Sequence, residues 1–171
     1  MKSIYSMLFV FGMVAVFETS AQSPVASADE IMKAAYQKAA QENKKVLLMF
    51  HASWCGWCKK MDKALNDDLC KKYFDDNFII EHLTVLERKG KENLDNPGAK
   101  GLMDTFNYKN QGLPYWVILD PAGKLLFDSG NLGCPAALDE VNALQDILRQ
   151  TTSLNDSALA KIKKRFLLNQ E

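Results

Sequence analysis

The chain has no surplus of charge of either sign. Its 171 residues carry 21 Lys and Arg against 21 Asp and Glu. No basic surface for nucleic acid is therefore expected, and no charge run exceeds the short cluster Lys161, Lys163, Lys164, Arg165. Past the N-terminus there is no apolar run of the roughly 20 residues that a spanning helix needs. Histidine is scarce, at two residues, and cysteine is limited to four. The one Cys-X-X-Cys pair has no second Cys or His pair at close spacing, which disfavours a zinc site. Lys59 rather than histidine follows Cys58, which disfavours haem attachment. No internal repeat or low-complexity segment occurs. With 47% hydrophobic and 25% charged residues, the composition is that of one globular domain.

What is present begins with a leader-like segment. Lys2 gives a positive start, Ile4 to Phe17 is apolar apart from Tyr5, Ser6 and Gly12, and Thr19-Ser20-Ala21 offers small residues before Gln22. This is the layout of a signal peptide over residues 1–21, with a periplasmic or secreted product. An uncleaved membrane anchor is the rival reading, and the short apolar stretch weighs against it. No cysteine follows the apolar core, so a lipid anchor on cysteine has no support. The remaining residues, 22–171, read as a single domain.

Trp54-Cys55-Gly56-Trp57-Cys58-Lys59 is the richest segment of that domain. The apolar run Val46 to Phe50 before it reads as a buried strand, and Lys59 to Leu65 after it as a helix. The first sulfur then sits at a helix N-terminus. Free backbone N–H groups and the helix dipole there favour a thiolate, the nucleophile of thiol–disulfide exchange. Cys55 is the candidate nucleophile and is expected to be the more exposed. Cys58, one turn on, is the candidate resolving thiol.

Around this segment the pattern alternates helices and strands. Ser27 to Glu30 has capping-box spacing, predicting a helix to about Asn43 with Ile31, Ala34, Ala35 and Ala39 inward. Strands are predicted at Lys45 to Ala52, Phe78 to Leu86, Tyr115 to Leu119 and Lys124 to Ser129. A short turn is expected near Cys70 to Phe74, a polar loop over Arg88 to Gly98 and a short helix over Ala99 to Phe106. Pro135 suits the first position of a helix running to about Gln150, with Leu138, Val141, Leu144, Ile147 and Leu148 inward. A last amphipathic helix over 153–169 carries Leu159, Ile162, Phe166 and Leu167, read as an extra packing layer rather than a docking helix.

Three motifs in order resemble the thioredoxin superfamily: Trp54-Cys55-Gly56-Trp57-Cys58, Gly112-Leu113-Pro114, and the turn Asp120 to Lys124. The resemblance covers about residues 29–150, and is nearest to secreted bacterial thioredoxin-like proteins with a Trp-Cys-Gly-Trp-Cys-Lys site. It implies an α/β fold with a central mixed β-sheet flanked by helices, to which the C-terminal helix is an addition. It also implies that Pro114 is a cis-proline facing the sulfurs, and that the backbone of Leu113 pairs with an extended substrate segment. Gly56 would permit close backbone approach, Trp57 would help set the potential of the pair, and Trp54 would either shield the site or pack in the core. The aromatic at Trp57 resembles the Cys-Gly-Tyr-Cys of some bacterial disulfide isomerases.

One position departs from the family. Met49 stands where thioredoxins carry a buried aspartate that aids proton transfer. His51, on the same side of the strand, is the first candidate to replace it as proton acceptor, ahead of Glu81 and His82. A disulfide between Cys70 and Cys134 would suit an oxidising compartment, but the resemblance implies that Cys70 lies near the far end of the active-site helix and Cys134 near the active-site end of the sheet, so two separate thiols are expected.

The function these features imply is an exported thiol–disulfide oxidoreductase acting on protein cysteines, a reductase or isomerase in preference to an oxidase. The alternative is a non-catalytic binding module or a metal-binding protein. Expected partners are protein substrates and, outside the cytoplasm, a membrane-embedded electron donor. The chain is expected to be a monomer, with no cofactor and no metal.

Overall fold

The computed structural model describes residues 25–170. The leader-like segment 1–21 therefore lies outside the described residues. Helix α1 (Ala28–Glu42) starts from Ser27, whose side chain and backbone exchange hydrogen bonds with Glu30 in a full capping box. It ends at Asn43 in the left-handed region. Strand β1 (Lys45–His51) follows, then α2 (Gly56–Leu65), α3 (Lys71–Asn77) and β2 (Phe78–Thr84). A loop with one 3₁₀ turn leads to α4 (Ala99–Thr105), the hairpin β3 (Tyr115–Leu119) and β4 (Leu125–Asp128), and finally α5 (Leu138–Thr151) and α6 (Asp156–Leu167).

The sheet order is β2-β1-β3-β4. β1 runs parallel to β2 and antiparallel to β3, and β3 runs antiparallel to β4. The sheet is thus mixed, as expected. Strand alternation divides the core between its two faces. Val46, Leu48 and Phe50 of β1 pack with α1 and α4, including Met32, Ala35, Ala39 and Met103. Leu47 and Met49 pack on the other face with residues of α2, α3, α5 and α6. Burial of both faces explains why β1 is a continuous apolar run rather than an alternating one.

The C-terminal helix belongs to the core. Leu159, Ile162 and Phe166 are buried in the same cluster as Met61 and Leu65 of α2 and Leu144 of α5. Asn155 caps its start by accepting from the Ala158 N–H. Arg165, itself buried, donates from Nε to Asp67 beyond α2 at 2.7 Å. Lys60 of α2 donates to the Asn169 carbonyl at 2.8 Å.

Three local expectations are corrected. In α1 the inward residue is Met32, while Ala34 is exposed, because the buried stripe runs Ala28, Met32, Ala35, Ala39. Helix α5 begins at Leu138, not Pro135, and Leu138 is 55% exposed. The cause is Glu140, whose carboxylate accepts from the N–H groups of Ala136 and Ala137 and so fixes the first turn behind them. At the far end Leu167 is only partly buried.

Candidate active site

The site forms where β1 hands over to α2. The Cys55 N–H donates to the Ala52 carbonyl at 3.0 Å, closing the turn that ends the strand. Cys55 is the N-cap of α2, in extended conformation, and its Sγ accepts from the Cys58 N–H at 3.1 Å. The cap is thus made by a sulfur, which takes the place of the usual Ser, Thr or Asp oxygen. A charge on that sulfur would meet both a hydrogen bond and the positive end of the helix dipole. Cys55 and Cys58 form a disulfide, with Cα atoms 5.3 Å apart.

Exposure does not separate the two residues. Cys55 is 3% exposed and Cys58 2%, which corrects the expectation of a more open Cys55. Both pack with Ala52, and Leu113 lies against them. The asymmetry between the sulfurs is one of hydrogen bonding at the helix start.

The peptide bond between Leu113 and Pro114 is cis. Gly112 before it has φ +94°, a conformation that suits glycine. Pro114 and Leu113 share a groove of about 190 Å³ with Trp57, Leu132, Gly133 and Cys134. Trp57 is 49% exposed, with the Lys60 ammonium 4.9 Å from its ring. Trp54 is 41% exposed, donates its indole N–H to the Leu86 carbonyl at 2.9 Å and lies beside Arg88. It therefore stands at the surface and is not a core residue. At Gly56 an added Cβ would meet nothing within 4 Å.

On the other side of the disulfide a cleft of about 460 Å³ reaches Cys58. Met49, His51, Lys59, Asp62 and His82 line it. Met49 is buried and pairs in register with His82 on β2 and Trp116 on β3. His51 and His82 thus share the Met49 face, with ring centroids 5.5 Å apart. His51 Nε2 lies 3.3 Å from Thr84 Oγ1, and His82 Nε2 lies 3.3 Å from Asp62 Oδ1. The His82 contact lacks the alignment of a hydrogen bond, which leaves that buried nitrogen without a partner. Glu81 pairs with Leu48 and so belongs to the opposite face, away from the sulfurs.

Burial holds both imidazoles below the ordinary histidine value, with His82 adding to the effect on His51. Asp62 works the other way on both, and Glu87 on His51. On unfolding, both return to about 6.5. Below that pH the unfolded chain binds more protons than the folded one, so stability must fall on acidification. Urea unfolding midpoints are expected to drop as pH goes from ~7 to ~5. A His51→Gln, His82→Gln double variant is expected to flatten this slope, and an unchanged slope would contradict the assignment.

Cys70 and Cys134 are separate buried thiols. Cys70 donates its S–H to the Ala64 carbonyl, and burial pushes its thiol up to about 11. Cys134 accepts from Asn169 Nδ2 at 3.4 Å, and burial pushes it up to about 12. Although Cys134 lines the groove beside Trp57, it is a poor nucleophile at neutral pH. Among the described residues, no cluster of three or more His, Cys, Asp or Glu side chains could hold a metal ion.

The thioredoxin-like family model matches residues 29–121, more than half of the chain. The chain belongs to the thioredoxin-like family. Among solved structures it is similar to a disulphide isomerase from Xylella fastidiosa Temecula1, at 20% identity and TM-score 0.54, covering 88% of this chain and 96% of that one. It is also similar to the DsbH oxidoreductase (22% identity, 86% and 95% covered, TM-score 0.48). A third match is the oxidised C-terminal domain of DsbD from Neisseria meningitidis (19% identity, 62% and 84% covered, TM-score 0.45). No curated protein matches. The fold is thioredoxin-like, with a disulfide at the position of the family's Cys-X-X-Cys site.

Two groups of this cleft, His82 and Asp62, do not stand out in the sequence. The available signal for Asp62 was its i+4 spacing from Cys58, which puts both on one side of α2. The place of His82 depends on β1–β2 register, which one sequence does not reveal.

Proposed function

We propose that this protein is an exported thiol–disulfide oxidoreductase that exchanges disulfides with protein cysteines. The observation that carries this reading is the sulfur cap: Cys55 Sγ receives the Cys58 N–H at the first turn of α2, with Leu113 of the cis Leu113-Pro114 turn packed against the pair. In the reduced form Cys55 attacks a substrate disulfide as a thiolate. Its sulfur bonds to one substrate sulfur, and the other leaves with the electron pair. Cys58 then attacks Cys55, closing the enzyme disulfide and releasing a reduced substrate. The reverse sequence oxidises the substrate.

The turn at Leu113-Pro114 offers backbone groups beside the sulfurs, suited to pairing with an extended segment. Trp57 and the groove behind it give that segment an apolar wall. Such recognition reads backbone more than side chains, which fits a broad set of unfolded or flexible protein substrates. His51 is the acceptor of the Cys58 proton in this reading.

Export is supported by Lys2, the apolar Ile4 to Phe17 stretch and the small residues at 19–21. Among the described residues no helix is long and apolar enough to cross a membrane. Outside the cytoplasm no general thiol pool keeps the pair reduced, so a membrane-embedded electron donor is its source of electrons. The protein acts as a monomer, as a reductase or isomerase rather than an oxidase. Protein recovered from the cell envelope or medium is expected to begin at Gln22 by mass spectrometry. A product retaining residues 1–21 would argue for an anchor.

The direct test is equilibration of the Cys55–Cys58 pair with glutathione buffers, followed by insulin reduction with dithiothreitol as electron source. A pair about as reducing as thioredoxin, with catalysed insulin precipitation, is the expected result. A strongly oxidising pair would reverse the assigned direction. A pair that does not cycle, in protein carrying stoichiometric zinc or copper, would overturn the enzyme reading.

A further inference from the structure

We propose that His51 and His82 share a single proton and together serve as the proton store for Cys58, with Asp62 positioning His82. The inference rests on the oxidoreductase reading and extends it to the control of the resolving step.

Cys58 is buried and must lose its proton before it can attack. The cleft on its side contains the only two histidines in the chain. Histidine is the side chain whose ordinary titration range spans neutral pH. Their rings lie 5.5 Å apart, edge to face, so a proton on one opposes a proton on the other. The buried His82 Nε2 has no hydrogen-bond partner and lies 3.3 Å from Asp62 Oδ1, a carboxylate that can hold the imidazolium once it forms. The charged groups facing the pair are Asp62 and Lys59 from α2 and Glu87 from the loop after β2. Glu87 is itself held by Ser53, accepting from its N–H and hydroxyl. A cleft of about 460 Å³ also has room for a water to carry the proton between sulfur and ring.

With Cys55 joined to substrate, the Cys58 thiol gives its proton to neutral His51. The Cys58 thiolate attacks Cys55 Sγ, and the Cys55–Cys58 bond forms. The bond from Cys55 to substrate breaks, and its electron pair leaves on the substrate sulfur, which takes up the stored proton. The enzyme pair is oxidised by two electrons and the substrate disulfide is reduced. Because the histidines hold one proton and not two, an already protonated pair cannot accept another, and acid shuts the resolving step.

The test follows resolution of the mixed disulfide formed between reduced protein and an aromatic disulfide reagent, across pH, together with NMR titration of the two imidazoles. The expected wild-type rate falls on acidification with a single inflection below pH ~6.5. His51→Gln is expected to remove that inflection and to lower the neutral-pH rate by about 10²-fold. His82→Gln is expected to move both the inflection and the His51 titration to higher pH, since it removes the opposing charge. If His51→Gln does not fold, His82→Gln and the wild-type titrations decide alone. An inflection left in place by both variants, or a His51 titration that ignores His82→Gln, overturns the proton store. A wild-type protein that forms no mixed disulfide at all would overturn the oxidoreductase reading instead.

Discussion

Cys58→Ser protein is expected to accumulate a covalent complex with its substrate through Cys55, while Cys55→Ser protein forms none. Both variants should lose insulin-reducing turnover by roughly 10³-fold or more. The asymmetry follows from the helix start. Cys55 Sγ is the group that accepts the Cys58 N–H, and a backbone donor is retained when residue 58 becomes serine. The attacking thiolate is therefore kept stabilised in Cys58→Ser, and only the internal attack that releases substrate is gone. Non-reducing gels with mass spectrometry read the result directly. Trapping through residue 58 in the Cys55→Ser protein would assign the roles in reverse. A folded Cys58→Ser protein that traps nothing would remove the basis for exchange chemistry at this site.

Phe166→Ala is expected to destabilise the protein by about 3–5 kcal/mol. Phe166 is fully buried, and its ring centroid lies 6.1 Å from that of Phe74 in α3. The core around it, walled by Leu65, Leu148 and Trp116, leaves a void of only about 10 Å³. Neighbours so closely packed between sheet and helices have little freedom to fill a phenyl-sized hole, which puts the cost at the upper part of the range for core truncations. A domain of ordinary stability would lose a large share of it. Urea or thermal unfolding measures the change. A loss under about 1 kcal/mol would mean that α6 is detachable, and would restore a docking role for that helix.

The parts of the fold that were legible in the sequence are those fixed by local chemistry. Ser27 and Glu30 announce the start of α1 because the capping box is a property of four consecutive residues. Tyr115 to Leu119 reads as a strand and is one, and Asp120 makes the turn after it by accepting from the Ala122 and Lys124 N–H groups. The redox pair is a short motif readable in place, and the cis Leu113-Pro114 bond is what the family resemblance implies. Helix α5 starts past Pro135 because Pro135 is a general signal and Glu140 a specific one, and the specific hydrogen bonds prevail. The cleft beneath Cys58 was half legible. His51 followed from strand alternation, whereas His82 and Asp62 join it through register and helix docking, which are tertiary facts.

The clasp between α6 and the active-site helix has a practical consequence. Lys60, two positions after Cys58, holds the Asn169 carbonyl, and the Gln170 amide donates to the carbonyl of Ala136, a wall of the Trp57 groove. An affinity tag or fluorescent fusion joined behind Gln170 would therefore emerge beside the groove, where a linker can crowd incoming polypeptide.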